Sequence, residues 1–251
     1  MNKNKKESIK NLIKLLNSGQ YELKRVVTDK VEKVEKKTVN KKVLRKCFDL
    51  DKFKYLVDLI KFREQDEKIK FNKLLLITLL YISGSRISEI LLINKEKIKE
   101  FIIKNEVELY EPKTNKYRKI YFIEDMKRLI FEIFEIQNLD DFISKIDEQG
   151  IIQSSNKKIK KRTAYTWFEP YFILFKDKFE ENKEIKINGN PWGFHSFRVN
   201  FATSFYNHSK DICLTQKVLG HTNIENTMRY IRDDGDDEKI KDILKTSFKI
   251  K

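Results

Sequence analysis

A chain of 251 residues that contains only 7 glycines and 3 prolines has little material for long loops or frequent tight turns. Together with its Leu, Ile, Lys and Glu content, this predicts a fold built mainly from α-helices. Apolar residues recur at helical spacing through Phe53, Leu56, Val57 and Leu59, with Asp49 or Asp51 as the cap, and again from Leu74 to Tyr81. Ser83-Gly84-Ser85 reads as a turn, after which Arg86 to Ile93 restarts as a helix. Further helices are expected around Lys127 to Glu135, Thr163 to Phe179, Ser196 to Tyr206, Leu214 to Leu219 and Asn223 to Ile231. Phe101 to Phe122 is the exception. Val107, Leu109 and Tyr110 precede a Pro112-Lys113-Thr114-Asn115-Lys116 turn and Ile120, Tyr121 and Phe122 follow it, which predicts a β-hairpin. The expected fold class is α+β, mainly α with a small antiparallel β-sheet.

Charge narrows the partners. The chain holds 53 Lys and Arg against 38 Asp and Glu, a net +15, and such a surplus calls for an anionic partner. Nucleic acid is the default, because phosphates release counterions when cations neutralise them. The surplus is uneven: 15 Lys and Arg against 5 Asp and Glu from Met1 to Lys46 put +10 there and leave +5 for the rest. Residues 1–46 read as a basic arm with one or two helices, and residues 47–251 as the folded body. With 18 Phe and 10 Tyr the chain has the material for a packed core, which excludes a disordered chain. Cys47 and Cys213, far apart, make no disulfide framework and suit a reducing cytoplasm. No apolar run is long enough for a membrane span, and the charged N-terminus does not resemble a signal peptide.

Only three histidines are present, so their placement is informative. His195 lies three positions before Arg198, on one face of a helix start, and His221 follows Gly220, which should end a helix. His208 falls in an expected loop and receives no role. These histidines and Cys213 lack the close pairings of zinc sites, and no Gly-x-Ser-x-Gly elbow is present. Phosphate chemistry fits better, since guanidinium forks supply bidentate donors to phosphate oxygens. Arg86 and Arg198 are the candidates.

Gly84-Ser85-Arg86-Ile87-Ser88-Glu89-Ile90, His195-Ser196-Phe197-Arg198-Val199-Asn200-Phe201-Ala202-Thr203, and Leu219-Gly220-His221 through Thr227-Met228-Arg229-Tyr230 occur in this order. They resemble the three signature boxes of the tyrosine recombinase, or phage integrase, family (Xer-like). Lys113-Thr114-Asn115-Lys116-Tyr117-Arg118 resembles the family's β-turn motif. The resemblance covers about Phe48 to Ile231, the family's catalytic domain. Val199 replaces the histidine common after the box II arginine, and Thr114 the usual glycine.

The resemblance implies a site-specific DNA recombinase that needs neither metal nor other cofactor. Tyr230 is then the nucleophile that forms a 3′-phosphotyrosyl link, and Arg86 and Arg198 clamp the phosphate. His221 donates to the same oxygens, Lys113 protonates the leaving 5′-oxygen, and His195 helps to deprotonate Tyr230. Lys116 lies close to Lys113, which leaves the turn register open. Implied partners are double-stranded DNA and three further copies in a tetramer on paired sites. Residues 1–46 stand where relatives carry a full core-binding domain, so DNA binding is expected to rely on the arm or on an accessory DNA-binding protein. Ile240, Ile243, Leu244 and Phe248 predict a docking helix at about 238–249, on a neighbouring protomer or on its own domain. Two alternatives remain: type IB topoisomerase-like relaxation and a non-catalytic DNA-binding paralogue. Lys-, Ile- and Asn-rich usage points to an AT-rich genome or a mobile element.

Overall fold

A computed structural model of the chain describes residues 46–152, 157–179 and 190–230. The basic arm, Lys46 excepted, and the expected docking helix at about 238–249 lie outside the described residues.

The first helix, α1 (Leu50–Arg63), is capped by Asp49, whose carboxylate accepts the Lys52 N–H at 2.9 Å. Asp66 caps α2 (Glu67–Ser83) in the same way. This helix is apolar around most of its circumference, and Leu74 to Leu80 are buried without a break, so it forms the centre of the body. It packs against α1 and two later helices, α5 (Glu124–Phe134) and α8 (Phe194–Ser209). It ends at Gly84, whose φ of 57° is open to glycine at little cost. A β-carbon there would lie 2.5 Å from the Phe201 ring of α8, so α2 and α8 meet at a point that tolerates no side chain.

After Gly84 come the single turn α3 (Ile87–Ile90) and α4 (Lys95–Lys104). The helix expected to run from Arg86 to Ile93 thus stops early. The segment expected to be hairpin from Phe101 begins instead as the last turn of α4. There Ile98, Phe101 and Ile102 share a buried face, Asn94 supplies the N-cap and Asn105 the left-handed C-cap. The short α6 (Leu139–Ser144) is likewise a helix that the apolar periodicity does not announce.

The hairpin itself is present. Strands β1 (Glu106–Glu111) and β2 (Lys116–Tyr121) pair antiparallel, from Glu106 opposite Tyr121 to Glu111 opposite Lys116. Period-two alternation puts Val107, Leu109 and Glu111 of β1 with Arg118 and Ile120 of β2 on the buried side. Two charged residues, Glu111 and Arg118, are therefore carried inward with the apolar ones.

The aromatic content is concentrated between α7 (Lys161–Phe179) and α8. Phe48 stacks on Phe197 with ring centroids 4.6 Å apart and meets Phe175 and Trp192 at 4.9 and 5.0 Å. Burying such a ring is worth about 1.5–3 kcal/mol. Phe48 thereby fixes the start of the body against both helices. The remaining helices among the described residues are α9 (Ile212–Leu219) and α10 (Ile224–Met228). Helix α8 runs further than expected and takes in His208, whose Nδ1 lies 2.8 Å from the Ser204 carbonyl. No described helix is long and apolar enough to cross a membrane.

Candidate active site

The end of α2, the start of α8, the end of α9 and the inner face of the hairpin meet around Arg198. This side chain is fully buried, 1% exposed. Its Nη1 donates to the Gly84 carbonyl at 2.8 Å, and its Nη2 to the Leu219 carbonyl at 2.6 Å. Both acceptors belong to helix ends whose last carbonyls have no intrahelical partner. One guanidinium thus ties three helices together. Burial, then Arg86 and Arg118, pull its pKa down to about 10, so it stays charged at neutral pH.

Around it lies a buried ion network. Arg86, at the start of α3, directs Nη1 both to Glu89, at 3.0 Å, and to Glu111 of β1. Arg118 of β2 donates Nη2 to Glu89 and to the Ser85 hydroxyl, each at 2.7 Å, and Nη1 to the Val218 carbonyl at 2.9 Å. Glu89 is therefore shared by two arginines. Burial alone would raise its pKa, but Arg118, followed by Arg198 and Arg86, outweighs that and keeps the carboxyl below the usual range. Three guanidiniums and two carboxylates leave the network one positive charge in excess.

Gly220 closes α9 with a φ of 67°, and a β-carbon there would meet Arg118 Cδ at 2.6 Å. The chain can turn over the arginine only because this residue is glycine, and the turn delivers His221. The His221 Nε2 lies 3.0 Å from Arg198 Nη2, and its Nδ1 lies 2.9 Å from Thr227 Oγ1. A guanidinium has no acceptor, so Nε2 accepts and the proton sits on Nδ1, donated to the threonine. Burial, then the positive Arg198, Arg86 and Arg118, lower the His221 pKa to about 3, and the ring is neutral at pH 7.

Tyr230 follows α10. Its hydroxyl lies 3.0 Å from His195 Nε2, its ring stacks beside His221 at 5.6 Å, and its carbonyl accepts from Thr203 Oγ1 at 3.0 Å. Lys113 is exposed in the hairpin turn. With Arg86, Pro112, Lys161, Tyr165 and His195 it lines a cleft of about 440 Å³. The structure therefore joins Arg198, His221, Tyr230 and His195 by direct contacts, pairs Arg86 with Glu89 and Glu111, and lines one cleft with Arg86, Lys113 and His195. Sequence reasoning assigns no role to Arg118, Glu111, Thr203 or Thr227. Arg118 lies inside the turn motif and Thr203 and Thr227 inside the boxes, but the inward pleat of Glu111 has no local signal.

A helical body with one hairpin, bearing a tyrosine hydroxyl beside histidines and buried guanidiniums, defines a protein class suited to phosphoryl chemistry. The chain belongs to the phage integrase family, whose sequence profile matches residues 51–236. It is similar to the probable integrase/recombinase YoeC of Bacillus subtilis (strain 168), 28% identical over 154 residues that cover 61% of this chain and 74% of the relative. It is 27% identical to the tyrosine recombinase XerH of Campylobacter jejuni over 201 residues, covering 76% of this chain and 51% of the relative. Among solved structures, the fold matches XerH site-specific recombinase bound to difH substrate in a pre-cleavage complex. There the TM-score is 0.57 at 18% identity, over 83% of this chain and 56% of that chain. The chain thus spans about half the length of this curated XerH. These matches favour the recombinase reading over the topoisomerase-like one.

Proposed function

We propose that this protein cuts and rejoins double-stranded DNA by two transesterifications through a 3′-phosphotyrosyl intermediate, as a site-specific recombinase. The observation that carries this reading is the Tyr230 hydroxyl 3.0 Å from His195 Nε2, beside the His221 ring that Arg198 contacts. In the first step the Tyr230 oxygen bonds to phosphorus and the phosphorus–O5′ bond breaks. The phenolic proton passes to His195, and Lys113 gives a proton to the departing 5′-oxygen. Arg86 and Arg198 hold the non-bridging oxygens, where the transition state gathers negative charge. In the second step a 5′-hydroxyl from another strand attacks the phosphotyrosine, the proton transfers reverse and Tyr230 is released. The diester's bond energy is kept in the covalent link, so rejoining needs no nucleotide hydrolysis.

A tetramer on two paired sites, in the cytoplasm with the DNA, completes the reading. Exchange between two duplexes requires four strand cleavages, one per nucleophile. The +10 stretch from Met1 to Lys46 supplies backbone contacts along the DNA. A nicked suicide duplex, which loses the 5′-end needed for religation, tests the chemistry. The wild type is expected to form an SDS-resistant adduct, and Tyr230→Phe to form none while binding the same duplex within about threefold of wild type. Adduct formation by Tyr230→Phe would remove Tyr230 as the nucleophile.

A further inference from the structure

Glu111 is buried, 2% exposed, at the end of β1, and its carboxylate pairs with Arg86. Arg86 already has Glu89 on the same nitrogen, so Glu111 is not needed merely to give this guanidinium a partner. Its distinctive property is its place in the chain. It is the last residue of β1, two positions before Lys113, and its carbonyl accepts the N–H groups of Thr114 and Asn115 at 3.3 and 3.0 Å. The side chain of Glu111 thus grips Arg86 while its main chain closes the turn that carries Lys113. Both carboxylates engage Nη1, and Arg86 lines the 440 Å³ cleft together with Lys113. This arrangement braces the guanidinium at Nη1.

We infer that Glu111 is a positioning residue that ties the Lys113 turn to Arg86, so that the proton donor for the 5′-oxygen is held in register with the phosphate clamp. The inference rests on the strand-cleavage reading above. In that step the phosphorus–O5′ bond breaks and O5′ takes a proton from Lys113. If sulfur replaces O5′, the phosphorus–sulfur bond breaks and a thiolate leaves without needing that proton, because a thiol's pKa of about 8.5 makes the thiolate a good leaving group.

The test uses the full-length chain and one suicide duplex, prepared with either an ordinary or a 5′-bridging phosphorothiolate linkage at the cleavage position. Wild-type adducts on both duplexes establish the cleavage reading independently of Glu111. Glu111→Gln keeps the shape and removes the charge. It is expected to form adduct about 10- to 100-fold more slowly on the ordinary duplex and within about threefold of wild type on the sulfur duplex, following the pattern of Lys113→Ala. Glu111→Asp should recover part of the ordinary rate. An equal loss on both duplexes would overturn the inference, since Glu111 would then act on the phosphate clamp or on folding. No loss on either would overturn it as well.

Discussion

At the scale of single residues, His221 shows how the site sets a protonation state before any DNA arrives. Its ordinary pKa of 6.5 falls to about 3 through burial and the neighbouring arginines. Between these values the unfolded chain binds a proton that the folded one refuses, so stability declines as pH falls from about 6.5 towards 3. His221→Asn should flatten that part of a plot of urea midpoint against pH; an unchanged slope would mean that other groups govern it. The same balance of charges reaches function. Under the proposed reaction, a DNA phosphate would bring negative charge against the cations that depress the histidine; if Arg198 Nη2 turned to that phosphate, His221 Nε2 would be free to take up a proton and donate to it as well.

At the scale of elements, the site depends on how two helices end. Gly84 closes α2 in a left-handed conformation, presents its carbonyl to Arg198 and lies directly under the Phe201 ring. Gly84→Ala is expected to cost about 2 kcal/mol or more, from the backbone strain and the displaced ring together, and to slow adduct formation in folded material. Urea denaturation and the adduct assay read the two effects separately. Much of this level is legible in the sequence. Gly220 is expected to end a helix and does, and the alternation around Pro112 to Lys116 correctly predicts the hairpin. Helices α4 and α6 escape such a reading, because their short apolar stripes abut a strand in one case and span fewer than two turns in the other. The boxes identify the residues gathered at the site, since each keeps its parts close in sequence. Residues linked across the fold, such as Glu111 and Arg86 at 25 positions, leave no spacing to read.

At the scale of the whole molecule, charge is divided between long-range attraction and local chemistry. The buried network carries an excess of one positive charge, which one phosphodiester would neutralise, and under the proposed function the wider surplus of the chain would serve binding. Deleting residues 1–40 should weaken DNA binding and lower the salt dependence, by about 0.9 in the log–log slope for each phosphate that the arm no longer neutralises. Equal affinity and slope after deletion would exclude a backbone role for that stretch. The three ties of Arg198 also set the order in which such a site can decay. Arg198 fastens α2 and α9 through their terminal carbonyls, so its removal loosens the framework. Tyr230 stands at the partly exposed edge, joined to His195 by its hydroxyl and to Thr203 by its main chain. If the chain cuts DNA as proposed, a lineage released from that selection can discard the tyrosine hydroxyl cheaply, whereas the arginine persists for architectural reasons. In a silent descendant, a retained Arg198 would testify to folding and only a retained Tyr230 to activity.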